Sequence, residues 1–357
     1  TGGLGPTSDD MTREALAEAL GLRLVHSEEV ETALRARFLR MGREMTDNNL
    51  RQCQIFAGSE AIRNDFGTAP GIFLKKDGKI LIMLPGPTHE LKPMFERRVL
   101  PRLEEEGLAT AKEAFLQLRT CGIGESLLDQ MMEPIIEENE DLGVAYCAHQ
   151  GLVDLRLSAG APSMTPERVR LIGEQAAKML GEDFVGFGDI TLAQIIYDTL
   201  RKHEKTLAVA ESCTGGLLSN AFTDVPGSSK VFDGSVVCYT NDAKVQMLDV
   251  PECILRQHGA VSAESALAMA TGAAERFSSD YGLSVTGFAG PGGGTTENPV
   301  GTIFIGYYSP AGAWSRRFVY PGERLAVKQR AVNTALDFMR RKLVKYRVED
   351  FIASLRQ

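Results

Sequence analysis

The sequence predicts a multidomain α/β protein, and three observations carry that prediction. The chain has 357 residues, more than one hydrophobic core usually serves, so two or three domains are expected. In its last part the short apolar runs "TLAVA", "GSVVCY", "GLSVTG" and "GTIFIGYY" alternate with helical patterns, which indicates strands layered with helices. With 43% hydrophobic and 24% charged residues, the composition is that of a globular protein able to fill several cores.

The same numbers narrow the function. No apolar run is long enough to cross a bilayer and no secretory signal opens the chain. Cysteines 53, 121, 147, 213, 238 and 253 lack CxxC spacing and the five histidines are dispersed, so neither a disulfide framework nor a structural zinc site is predicted. Reduced thiols fit a cytoplasmic location. A formal net charge of −8 argues against a general nucleic-acid binder. The chain opens directly on "TGGLGPTSDDMT", a glycine-rich turn of the kind that follows a strand. No strand precedes it, and the first domain is expected to lack its amino-terminal part.

Element by element, residues 8–22 read as a helix with Asp9 and Asp10 in its first turn, where carboxylates favour the positive end of the dipole. "SEEVETALRARFLRMG" reads as a second helix. "GIFLKKDGKILIM" reads as a hairpin about Asp77 and Gly78, and "PGPTHELKPMFERRVLPRL" as a turn opening a helix. Residues 107–188 then supply a strand, the turn "GIGES", an amphipathic helix, two short strands and another helix, a small α+β unit. From residue 189, Thr191 caps a helix whose Leu192, Ile195, Ile196 and Leu200 share one face, and a long helix starts near Leu325. The domains so read are 1–106, 107–188 and 189–357.

The chemistry gathers where strands of the last domain end. In such sheets ligands collect beyond the carboxyl ends of the strands, here at Ser212, Tyr239 and the run Gly292–Gly294. "ESCTGG" is a strand–turn–helix junction whose amides suit an oxyanion or a phosphate, but it lacks the Walker spacing. Taken alone it reads as a capped turn, a phosphate cradle or a nucleophile seat. Cys213 is the stronger nucleophile by type, yet small cysteines are commonly just buried, and neither His203 nor His258 offers it a partner. Lys244 in "YTNDAK" can act as a base only when neutral. That requires its pKa to fall from about 10.4 towards 7, by burial or nearby positive charge. Gly290, Gly292 and Gly293 leave amides free to wrap an anion, and the Arg324 guanidinium can pair with phosphate oxygens.

In this order and spacing "AESCTGG", "YTNDAK" and "TGFAGPGGGT…PVGT" resemble the carboxyl-terminal domain of the CinA family. That domain is a nicotinamide-nucleotide amidohydrolase, turning nicotinamide mononucleotide and water into nicotinate mononucleotide and ammonia in pyridine nucleotide salvage. "TGGLGPTSDDMT", "NDFGTAPG" and "LPGPTHELKPMF" resemble the same family's amino-terminal domain, of molybdopterin-binding fold, and "GIGES" its middle domain. The resemblance covers essentially the whole chain. It implies a partial molybdopterin-binding-like α/β domain, a small α+β middle domain and a three-layer α/β amidohydrolase domain.

Carried over residue by residue, it implies Ser212 as nucleophile, Lys244 as base and Tyr239 as the group orienting that pair. It places the oxyanion on amides near Thr214 and Gly215, and the 5′-phosphate on the glycine loop with Arg324 or Arg330. The pyridinium of the substrate would favour a neutral lysine. No cofactor is implied for this domain, and a homo-oligomer is expected. For the amino-terminal domain the family implies metal-dependent hydrolysis of ADP-ribose, with Asp9 and Asp10 as acidic residues for a divalent metal. With part of that pocket expected to be missing, the sequence reading assigns it no activity. Metal dependence and phosphate-bond products would mark that rival activity. Tight binding without turnover, indifferent to Ser212→Ala, would mark a pterin- or nucleotide-binding module.

Overall fold

The computed structural model describes residues 1–108 and 115–343, which fall into two compact units, Thr1–Lys112 and Glu113–Gln357. The first residues of the expected middle domain, 109–114, and the last of the chain, 344–357, lie outside the described residues. The first unit holds α1 (Thr12–Ala19), β1 (Leu24–His26), α2 (Glu28–Arg40), β2 (Gln54–Phe56), β3 (Glu60–Ile62), β4 (Gly71–Lys76), β5 (Lys79–Met83), α3 (Thr88–Met94) and α4 (Leu100–Glu105). β1 pairs with β2, and β3, β4 and β5 form an antiparallel sheet in that order. Ser27 caps α2 by accepting from the Val30 amide at 3.3 Å, and Val30 and Leu34 turn inward. Between β4 and β5, Asp77 (φ 51°) and Gly78 (φ 71°) take the left-handed conformations that a tight hairpin turn demands.

The first helix differs from the reading of residues 8–22. It begins only at Thr12. Asp9 and Asp10 lie in the turn before it, where the Thr7 hydroxyl donates to Asp9 Oδ1 at 2.5 Å and to Asp10 Oδ2 at 2.6 Å, and the Thr7 amide to Asp10 Oδ2 at 3.0 Å. Such local side-chain bonds compete with helix hydrogen bonding, and here they win.

The second unit opens with β6 (Phe115–Cys121), α5 (Glu125–Glu137), β7 (Leu142–His149), β8 (Leu152–Ala159), α6 (Pro166–Leu180) and β9 (Phe184–Phe187). The strands form an antiparallel sheet in the order β7-β8-β6-β9. Thr165 caps α6 on the Arg168 amide at 3.2 Å, with Pro166 at the first helical position. Val169, Ile172, Ala176 and Leu180 fall at helical spacing and pack with Leu118, Leu155 and Leu157 of the sheet.

The rest comprises α7 (Leu192–Lys202), β10 (Leu207–Glu211), α8 (Leu217–Thr223), β11 (Phe232–Val237), α9 (Asn241–Leu248), α10 (Glu252–His258), α11 (Ala263–Phe277), β12 (Tyr281–Gly287), β13 (Thr302–Ser309), β14 (Gly312–Val319) and α12 (Arg324–Leu343). The sheet order is β11-β10-β12-β13-β14, parallel across β11, β10 and β12 and antiparallel thereafter. Every residue of β10 is buried, the apolar 207–210 as expected of a central parallel strand and Glu211 with them. Its side chains alternate: Leu207 and Val209 join a core with residues of α7, α8 and α12, while Ala208 and Ala210 join one with residues of α9, α10 and α11. The result is three layers, helix–sheet–helix.

Near its end α12 is tied to the four-stranded sheet region. Asp337 accepts from Arg340 Nε at 2.8 Å and Arg341 Nε at 2.7 Å. Those guanidiniums in turn donate to the carbonyls of Phe184 at 3.1 Å, Glu182 at 2.6 Å and Cys121 at 2.7 Å. Among the described residues, no helix is long and apolar enough to cross a membrane.

Candidate active site

Strand β10 ends at Glu211, and its carboxyl end lies between those of β11 and β12: Glu211 pairs with Val237 on one side and Val285 on the other. Ser212 follows at once, held by its amide to the Val285 carbonyl at 2.9 Å. The chain then turns through Gly215 (φ 62°) and Gly216 (φ 99°) into α8. A side chain at either position would strain a backbone that only glycine adopts freely. The two glycines of "ESCTGG" therefore make the reversal that leaves Ser212 at the edge of the sheet.

Glu211 was not singled out from the sequence, and it organises this turn. Its carboxylate, fully buried, accepts from the amides of Gly216 at 3.0 Å, Leu218 at 3.1 Å and Ser219 at 2.8 Å, and also from the Ser219 hydroxyl. The amino end of α8 is thus filled by the protein's own anion, so the helix start does not act as a phosphate cradle. The amides of Thr214 and Gly215 lie outside this cap and meet no protein acceptor among the described residues. The Thr214 hydroxyl, fully buried, also has no hydrogen-bond partner among the described residues.

Lys244 reaches the serine from the neighbouring strand end. Thr240 caps α9 by accepting from the Ala243 amide at 3.1 Å, which places Lys244 in the first turn with its side chain directed inwards. Lys244 is 1% exposed, its Nζ 3.1 Å from Ser212 Oγ and donating to the Cys238 carbonyl at 2.8 Å. Cys238 is itself fixed by its amide to the Glu211 carbonyl at 2.9 Å. Burial lowers the Lys244 pKa from the ordinary lysine value, because no carboxylate compensates the desolvated ammonium. One N–H directed at a carbonyl leaves the lone pair of the neutral amine free to face the serine hydroxyl. Cys213, by contrast, is buried in the α7–α8–α12 core, and burial pushes its thiol up to about 12. It stays a thiol at neutral pH, and of the two side chains the serine is the one that faces Lys244.

The other sequence-predicted residues divide. Tyr239 does not touch the pair: it is 59% exposed and its hydroxyl accepts from Arg324 Nη2 at 3.0 Å, while Arg324 Nη1 donates to the Gly290 carbonyl at 2.6 Å. Among the described residues, the carbonyl that holds Lys244 Nζ beside Ser212 is that of Cys238, and Tyr239 makes no hydrogen bond to either. Tyr239, Arg324 and Gly290 form a bridge joining the ends of β11, β12 and α12. Tyr239→Phe is accordingly expected to raise KM about two- to tenfold with kcat little changed, as loss of one hydrogen bond would. A hundredfold fall in kcat in steady-state kinetics would return the tyrosine to the reacting pair. Gly292 and Gly293 are exposed in the loop beyond β12, and Gly293 has φ 94°. Arg330 donates to the Pro321 carbonyl at 3.0 Å, which leaves Arg324 as the arginine at the site. Among the described residues no group of three or more His, Cys, Asp or Glu is placed to hold a metal ion, and Asp9 and Asp10 are held by Thr7.

A second residue absent from the sequence reading is Lys328, one helical turn beyond Arg324. A Cβ added at Gly215 would sit 3.7 Å from its Nζ. The signal was the spacing itself, since i and i+4 share a helix face.

Comparison with known proteins agrees with this architecture. Residues 1–105 match the model of a probable molybdopterin binding domain, 117–186 that of the damage-inducible protein CinA KH domain, and 189–343 that of the CinA C-terminal domain. A CinA-like protein of Dictyoglomus turgidum is 41% identical over 348 residues, covering 96% of this chain and 84% of that protein. One of Kosmotoga olearia is 40% identical over 346 residues, with 96% and 84% covered. Among solved structures, the competence/damage inducible protein CihA from Agrobacterium tumefaciens is 40% identical, covers 43% of this chain and 93% of its own, and has a TM-score of 0.41. With family models across both units and relatives that align along nearly its whole length, the chain belongs to the CinA family.

Proposed function

We propose that the protein hydrolyses the carboxamide of nicotinamide mononucleotide, giving nicotinate mononucleotide and ammonia. The observation that carries the reading is the buried contact of Lys244 Nζ with Ser212 Oγ at 3.1 Å. A serine and a lysine held so, with the amine pKa lowered by burial, are a nucleophile and its base.

In the reaction, Ser212 Oγ attacks the carboxamide carbon and its proton passes to Lys244 Nζ. The oxygen of the tetrahedral intermediate takes the negative charge and accepts from the amides of Thr214 and Gly215. Collapse breaks the C–N bond as Lys244 returns the proton to the leaving nitrogen, which departs as ammonia. The acyl group is then an ester on Ser212. Water attacks that ester, Lys244 takes its proton, and nicotinate mononucleotide leaves as Ser212 recovers its hydroxyl. Lys244 is base and acid in turn, which suits a pKa moved towards neutrality. The substrate pyridinium, a cation beside the amine, lowers that pKa further.

The test is ammonia release from nicotinamide mononucleotide by wild type, Ser212→Ala and Lys244→Ala. The wild type is expected to release it, and Ser212→Ala to lose at least about a thousandfold in kcat. Undiminished release by the serine variant would remove this mechanism.

A further inference from the structure

Strand β12 carries its pleat one residue past Gly287. The Phe288 amide donates to the Thr302 carbonyl at 2.8 Å, and the Gly301 amide to the Phe288 carbonyl at 2.7 Å. Alternate side chains of a pleated strand share a face. Ser284 and Thr286 show which face that is, since their hydroxyls donate to the carbonyls of Ala266 in α11 at 2.6 Å and of Ala260 just before it at 2.8 Å. Phe288, next in the alternation, therefore projects on the α9–α11 side of the sheet. Ser212 is on that same side, next after Ala208 and Ala210, and there it meets Lys244 of α9.

The register brings ring and nucleophile together. Glu211 is level with Val285, so Ser212 stands beside Thr286, and Phe288 is two residues further along the adjacent strand. With about 4.8 Å between strands and about 3.3 Å of rise per residue, its Cα lies about 8 Å from that of Ser212, towards the carboxyl ends of the strands. Phe288 is half-buried, yet among the described residues it joins none of the hydrophobic cores and makes no ring or cation contact. The glycine loop covers one edge of the ring: a Cβ added at Gly293 would come 3.2 Å from Phe288 Cδ1.

An aromatic carboxamide bonds its ring directly to the carbon that Ser212 attacks, so that ring has to lie beside the serine. A phenyl face stacks on flat rings, and its quadrupole attracts cations; a pyridinium is both flat and cationic. We infer that Phe288 is the platform on which the ring of the substrate rests, and that it gives the site a preference for a cationic heteroaromatic carboxamide over a neutral, non-aromatic one. The inference rests on the amidohydrolase reading and adds to it the residue that recognises the ring.

The experiment measures, by calorimetry, binding of nicotinamide mononucleotide and of its 1,4-dihydro form, which keeps the amide, ribose and phosphate but has a neutral, non-aromatic ring. The full chain carries Ser212→Ala so that neither ligand is turned over, alone or with Phe288→Leu or Phe288→Tyr. Phe288→Leu, apolar but without the ring, is expected to weaken binding of the pyridinium form about five- to thirtyfold and of the dihydro form by less than about twofold. Phe288→Tyr keeps the ring and should keep the preference. With Ser212 intact, Phe288→Leu should slow ammonia release mainly through KM. Equal weakening of both ligands would make Phe288 a prop for the glycine loop, and unchanged binding in Phe288→Leu would leave it no part in recognition; either result overturns the assignment. Were the wild type to release no ammonia while Phe288→Leu still lost the pyridinium form selectively, the amidohydrolase reading would fall and the ring assignment would stand.

Discussion

Replacing Lys244 with methionine is expected to lower kcat/KM for amide hydrolysis by about 1,000- to 10,000-fold and to raise the thermal midpoint of unfolding. The first effect follows from removing the group that takes the Ser212 proton. The second follows from the sign of the linkage. Burial lowers the Lys244 pKa in the folded protein, so the unfolded chain binds that proton more tightly. Stability therefore rises with pH across the interval between the folded and unfolded pKa values. At neutral pH and below, the lysine weighs against folding. Methionine fills a similar volume without the charge, and each kcal/mol relieved should lift the midpoint by about 2–4 °C. Kinetics and a thermal melt on the same preparation check both. A variant that was inactive and also less stable would mean that the Cys238 and Ser212 contacts hold the fold more than the buried charge opposes it.

Glu211→Gln should be costly in the opposite way. The carboxylate only accepts, and it serves four donors at the start of α8. A carboxamide has one oxygen, and its NH2 would face amides that also donate. Two or more buried donors would be left without partners, a loss of about 2–4 kcal/mol that denaturant unfolding would measure. Because the same turn sets the serine, kcat should fall by about ten- to a hundredfold even where the variant remains folded. Normal stability and normal kcat together would show that the cap is dispensable to the turn.

Local patterns made much of this molecule legible in advance. The apolar run 207–210, bounded by turn residues and set among alternating strands and helices, reads as a buried strand. The 3.6-residue spacing in α7 and the Asp77–Gly78 pair each dictated one structure. What escaped the sequence was decided across distance. Nothing near Lys244 in the chain shows that it is buried; its place just beyond a strand end makes it a candidate base, but its burial depends on β11 lying beside β10. Glu211 reads as the polar end of a strand, because its partners come into reach only after two left-handed glycines fold α8 back over it. For Tyr239 the family resemblance implies a place beside the reacting pair. But the side chain follows the end of β11 outwards to Arg324, while Lys244, on the next helix turn, points in. Asp9 and Asp10 were given to a helix by dipole preference, and the Thr7 hydroxyl took them first.

The central claim is that Lys244 works as a neutral amine against Ser212, and the pH dependence of kcat/KM for ammonia release from nicotinamide mononucleotide tests it most directly. The account predicts an activity that climbs with pH through a single deprotonation, with an apparent pKa well below the ordinary lysine value of about 10.4. That limb should be absent from the residual activity of Lys244→Ala. A flat profile, or the same limb in the alanine variant, would contradict it.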